Sequence, residues 1–170
     1  MRGYTLIELL IVMLIMSIIG VTGYVNYKDY AIRKETEKAL GQIQTILRLA
    51  QTNATTSTVC NGLGGASWSV QFETDQKTIT LVCGPANSSQ KTYSLENVKI
   101  SSIAGSGCQE IGFSSPVIIT YSSGQGALTI SPSENCLQNA STIRFTVENT
   151  KDSNVTKVFN LSKGGAVNAQ

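Results

Sequence analysis

No histidine occurs anywhere in the 170 residues. That excludes Ser-His-Asp and Cys-His catalysis, histidine-ligated zinc and histidine-based pH switching. Charged residues make up only 14%, against roughly 25% in an average soluble protein. The 13 basic and 11 acidic side chains leave a net charge of +2, too small to mark a nucleic-acid binder. Aromatics are 6%, and the first of three prolines is Pro85, so no proline interrupts a helix in the first half of the chain. The missing charge is replaced by 19 Ser, 18 Thr, 11 Asn and 15 Gly, a composition that fits a β-rich extracytoplasmic domain better than a cytosolic enzyme. The length allows one domain with an appendage.

The sequence does have one long apolar run. Residues 9–27 carry no charge, and at about 1.5 Å per residue they span close to the 30 Å of a bilayer's hydrocarbon core. A secretory signal peptide would use Met1-Arg2 as its basic region. The run is longer than the usual ~7–15 residues, however, and no good small-x-small cleavage site precedes Asn26, so the segment reads as an uncleaved anchor. Glu8 stands at its N-terminal end. A carboxylate in lipid costs a few kcal/mol and normally has a partner. Either Glu8 sits among headgroups, or it awaits a cation supplied by another molecule.

Gly3-Tyr4-Thr5-Leu6-Ile7-Glu8 followed at once by a long apolar helix resembles the processing site of type IV pilins and type II secretion pseudopilins. In that family a prepilin peptidase cuts after the glycine and N-methylates the new first residue. The resemblance implies a leader of residues 1–3, cleavage between Gly3 and Tyr4, a methylated Tyr4, and Glu8 as the carboxylate that pairs with a neighbouring subunit's terminal ammonium during assembly. The implied partners are other pilin or pseudopilin subunits, the peptidase, and inner-membrane lipid before assembly. The implied location is a single pass of the bacterial inner membrane with an extracytoplasmic C-terminal domain, and then a pilus or pseudopilus. The leader is shorter than most. A proline carried by the helix of many major pilins is absent; its neighbourhood here is Val25. Gly20 and Gly23 each weaken a helix by about 1 kcal/mol relative to alanine, and we expect this stretch to loosen in a filament. Arg2 precedes the anchor, whereas Lys28, Arg33, Lys34 and Lys38 follow it. The positive-inside rule would keep the large part cytoplasmic; the cysteines and the family resemblance argue the reverse, with Asp29, Glu35 and Glu37 offsetting the second cluster.

The expected fold class is α+β, a long N-terminal helix packed on antiparallel sheets. Its parts are a membrane half at residues 4–27, an amphipathic half at 28–52 and a β-rich domain at 53–170. Ile32, Ala39, Leu40, Ile43, Ile46, Leu47 and Ala50 recur at three- and four-residue spacing and form one apolar stripe. Beyond residue 52 the period changes to two. Trp68, Val70 and Phe72, then Ile79, Leu81 and Cys83 across a turn near Asp75-Gln76, alternate with polar residues. Further strands are expected at 91–95, 98–103, 117–121, 127–131, 142–148 and 156–161, with hairpin connections at 122–126 and 149–154. Two small sheets against the helix follow. The least structured loops are expected at 53–67 and 132–141.

Cys60, Cys83, Cys108 and Cys136 lack the close spacing of a zinc site. Two disulfides in an oxidising compartment fit better than four buried thiols. Three connectivities exist, and the sequential one, Cys60–Cys83 and Cys108–Cys136, closes two loops worth about 3 kcal/mol each. No catalytic residues, metal ligands or cofactor are assigned. The carboxylates form no acid/base pair, and Gly62-Leu63-Gly64-Gly65 lacks the Lys-Ser/Thr of a phosphate cradle. Asn-x-Ser/Thr triplets, as at Asn53 and Asn160, arise by chance in such a composition. The stretches 111–116, 142–145 and 157–161, leading to Gly165-Ala166-Val167, are similar to H-type minor pseudopilins and related minor pilins, which with the modest length favours a minor subunit. Some of that group bind DNA through basic residues near the C-terminus. Here such a patch would comprise Arg144, Lys151, Lys157 and Lys163, half offset by Glu148 and Asp152, so binding would be weak and salt-sensitive.

Overall fold

A computed structural model describes residues 5–60, 62, 64–84, 88–108, 110, 112–124, 127–131, 140–162, 164 and 167–169, with backbone alone at 22, 23, 25, 88–90 and 167–169. One helix, α1 (Leu6–Thr55), runs unbroken for 50 residues, about 75 Å at the helical rise. All seven stripe residues from Ile32 to Ala50 are buried, and Ala54 extends the stripe. Thr36 fills the gap between Ile32 and Leu40; it is fully buried and donates its hydroxyl proton to the Ile32 carbonyl at 3.0 Å.

The helix ends three residues beyond the expected position. Ser57 adopts a left-handed φ of 53°. Its N–H donates to the Ala54 carbonyl at 3.2 Å, and the Thr58 N–H donates to Asn53 at 2.9 Å. This is the 5→2 and 6→1 pattern that closes many helices, with serine where glycine is usual. Gly124 in a hairpin turn also donates to the Ala54 carbonyl.

The strands are β1 (Trp68–Phe72), β2 (Thr78–Cys83), β3 (Ser88–Ser94), β4 (Val98–Gly105), β5 (Val117–Tyr121), β6 (Leu128–Ser131), β7 (Thr142–Asn149), β8 (Thr156–Ser162) and β9 (Val167–Ala169). They form two antiparallel sheets, in the orders β3-β2-β1-β5-β6 and β4-β7-β8-β9. Alternation holds in β1, β5 and β7. In β2 it fails at Val82, where a register shift after Leu81 buries three consecutive residues, as an inserted residue in a ladder does. The short β9 was not expected. The loop expected at 53–67 begins only after Thr55, and residues 132–139 of the second expected loop lie outside the described residues.

Both sheets pack on α1 and share one apolar core. Phe72 of the first sheet meets Phe145 of the second at 5.5 Å between ring centroids, and Phe145 stacks on Phe159 at 4.6 Å. Aromatic pairs at these distances add about 0.5–1.5 kcal/mol beyond their burial. The β1–β2 turn is held by Asp75, whose carboxylate accepts from the Lys77 and Thr78 amides and the Thr78 hydroxyl. Partial desolvation pushes this carboxyl up, but those three bonds prevail and hold it below the ordinary range.

Candidate assembly site: the bare helix and its cap

Among the described residues, the N-terminal half of α1 packs on neither sheet. Side chains from Leu6 to Val21 are all exposed, Leu6 at 79% and Met16 at 66%. The stretch is long and apolar enough to cross a membrane, and none of it is buried. At about 25 cal/mol per Å2, so long an apolar surface is strongly driven to leave water for lipid or for other helices. Tyr24, Tyr27 and Tyr30 follow at three-residue intervals, all exposed.

Thr5 and Glu8 cap this helix. Thr5 donates its backbone N–H and its hydroxyl to Glu8 Oε2, each at 3.2 Å, while the Glu8 N–H donates to Thr5 Oγ1 at 3.4 Å. This reciprocal box satisfies amides that a helix start leaves unpaired. Glu8 Oε1 has no partner among the described residues. The cost of Glu8 is visible in the sequence from its place beside an apolar run; the signal for its local partner is the Thr5-x-x-Glu8 spacing of a capping box. Gly3 and Tyr4 lie outside the described residues, directly beyond Thr5.

Where the helix enters the domain, a polar clasp fixes it to the second sheet. Asn149 is 1% exposed. Its amide donates to the Ile32 carbonyl at 3.3 Å and to Thr36 Oγ1 at 3.2 Å, and its carbonyl oxygen accepts from the Lys151 N–H at 2.9 Å. Lys151 also reaches Glu35 at 3.1 Å. Alanine at Asn149 would strand these buried groups, so Asn149→Ala is expected to cost about 1–3 kcal/mol, read as a lower urea midpoint in detergent with an unchanged slope.

Cys60 and Cys83 are disulfide-bonded across 23 residues, with Cα atoms 6.0 Å apart. Both are buried. The bond ties the segment after α1 to the end of β2. Cys108 is also disulfide-bonded; Cys136, its expected partner, lies outside the described residues. Among the described residues no three His, Cys, Asp or Glu side chains converge as metal ligands.

Among the described residues, Arg144 and Lys157, two of the cations considered for DNA, lie on opposite faces of the second sheet. In β7 the core-facing residues are Ile143, Phe145, Val147 and Asn149, and Arg144 points the opposite way. Lys157 pairs with Val147 and therefore faces the helix side, beside Arg33 and Glu37. Lys151 is occupied by Glu35, and Lys163 lies outside the described residues.

A capped apolar helix, bare in its first half and packed on two antiparallel sheets in its second, is the pilin fold. Residues 1–24 match the family described as the prokaryotic N-terminal methylation motif. The structure is similar to that of the Pseudomonas aeruginosa (strain PAO1) type IV minor pilin FimU in space group P21, at 14% identity and a TM-score of 0.53, over 81% of this chain and 90% of that one. A second FimU crystal form, in space group P65, gives 13% identity and a TM-score of 0.49 over 79% and 91%. No curated protein sequence matches the chain. The protein therefore carries the prokaryotic N-terminal methylation motif on a pilin fold.

Proposed function

We propose that this protein is a minor pilin or pseudopilin, a structural subunit of a type IV pilus or a type II secretion-like filament. The observation that carries this reading is the methylation motif placed directly on a helix whose first half is apolar and uncovered. The precursor is anchored in the bacterial inner membrane by residues 4–27, with the β-rich part outside the cytoplasm. Prepilin peptidase removes residues 1–3 and methylates Tyr4. The bare helix then exchanges lipid for the helices of neighbouring subunits, and Glu8 supplies the charge that pairs with a neighbour's terminal ammonium. The protein's work is mechanical: anchor, subunit contact and exposed surface.

The experiment is mass spectrometry of filaments sheared from cells that make the tagged full-length chain. The chain is expected in the filament fraction of cells with the peptidase and absent from that fraction without it. A chain confined to the membrane fraction in both would favour an anchored domain that never assembles.

A further inference from the structure

Resting on the membrane-anchored reading, we propose that the cleft between α1 and the β7–β8 turn, formed by Arg33, Lys157, Asn154 and Thr156, receives the phosphate of a membrane phospholipid while the helix is in the bilayer. The cleft holds about 320 Å3, with Glu37 and Val155 completing its lining.

Depth is the first argument. The uncharged run ends at Tyr27, and the exposed Tyr24, Tyr27 and Tyr30 are the amphipathic aromatics that settle at headgroup level. Arg33 is six residues further on, about 9 Å along the helix. The headgroup layer adds about 5–8 Å on each side of the hydrocarbon. Helical side chains lean towards the N-terminus, which brings the Arg33 guanidinium back to the phosphate layer.

Charge is the second. Lys34 is taken by Glu37 at 2.7 Å and Lys151 by Glu35 at 3.1 Å. Arg33 has no hydrogen bond or ion pair among the described residues, and Lys157 meets Glu37 only through space. The one carboxylate in the cleft, Glu37, is thus already bonded to Lys34. Asp152 beside it accepts from the Asn154 backbone and side-chain N–H groups at 3.0 and 3.1 Å, so it is engaged within its own turn. Two uncommitted cations, Arg33 and Lys157, thus face an opening at phosphate depth whose wall is completed by Asn154, Val155 and Thr156. A lipid phosphate there also gives the cations on the C-terminal side of the anchor their counter-charge.

The test is native mass spectrometry of the full-length chain in detergent, titrated with phosphatidylglycerol. A cation near an anionic membrane surface is worth about fivefold in affinity, so Arg33→Gln with Lys157→Gln is expected to weaken lipid retention about twenty-five-fold. Lys91→Gln with Arg144→Gln removes the same net charge farther from the anchor, Arg144 lying towards the end of β7 opposite Asn149, and is expected to leave retention within about twofold, as charges remote from the surface are screened. Equal losses in the two double variants, or none in the first, overturn the cleft. Displacement of the lipid by inorganic phosphate at matched concentration also overturns it, by making the site one for free phosphate. The single Arg33→Gln variant, at an exposed position, serves if the double variant melts early. Carbonate extraction of the wild type from cell membranes separates the two ideas. A chain released by carbonate defeats the anchor and the cleft together, whereas a retained chain whose lipid affinity ignores Arg33 and Lys157 defeats the cleft alone.

Discussion

Glu8→Ala and Glu8→Gln are both expected to reduce incorporation into filaments by more than tenfold while leaving membrane insertion unchanged. The two substitutions separate two jobs of one carboxylate. In the single chain Glu8 closes a capping box with Thr5, a contribution of about 1 kcal/mol. Glutamine keeps a side-chain oxygen that accepts from the Thr5 N–H, so it preserves most of the cap. It cannot supply a negative charge to a neighbour's ammonium. Within a bundle of apolar helices such a pair sits in a low dielectric, and removing one partner leaves a buried charge at a cost of about 3–5 kcal/mol. A loss of that size far exceeds the tenfold change that about 1.4 kcal/mol produces. Incorporation of Glu8→Gln at the wild-type level, with Glu8→Ala impaired, would reduce Glu8 to a helix cap and end the pairing idea. The comparison is read by immunoblot of sheared filament and membrane fractions.

The second large effect belongs to the buried disulfide. Cys60→Ser with Cys83→Ser opens a 23-residue separation, and chain entropy alone makes that bond worth about 3 kcal/mol. Both positions are nearly inaccessible, so two hydroxyls would also need partners in an apolar site. A fall in midpoint of about 10–15 °C is expected for a domain of this size. Trp68, the only tryptophan, stands opposite Cys83 in the β1–β2 ladder, and its fluorescence in the detergent-solubilised full chain reports the transition. A melting point within about 2 °C of the wild type would show that the unfolded chain is already constrained there by other means.

The helix and most strands were legible because their signals are local. A stripe from Ile32 to Ala50 at helical spacing and alternating runs such as Val117–Tyr121 need no knowledge of partners. The helix end was not legible, since it depends on Ser57 accepting a left-handed backbone that glycine would have advertised. Thr36 and Asn149 were missed for a related reason. Each looks like an ordinary polar residue until a strand from the far end of the chain brings Asn149 against the helix. The three-residue β9 is too short to carry a period. At the proposed site, Glu8 stood out because a carboxylate beside an apolar run is expensive, whereas its bond to Thr5 required reading the same residues as a cap. Within the basic patch read from the sequence, strand parity separates two members: Arg144 and Lys157 are close in sequence yet lie on opposite faces of the second sheet.

Intact mass combined with N-terminal sequencing of the protein purified from its native membrane tests the central claim most directly. The expected result is a chain beginning at Tyr4 with one added methyl group, and four hydrogens fewer than the reduced mass if both cysteine pairs are oxidised. A chain that still begins at Met1 would contradict processing at Gly3, and with it membership of a peptidase-dependent filament.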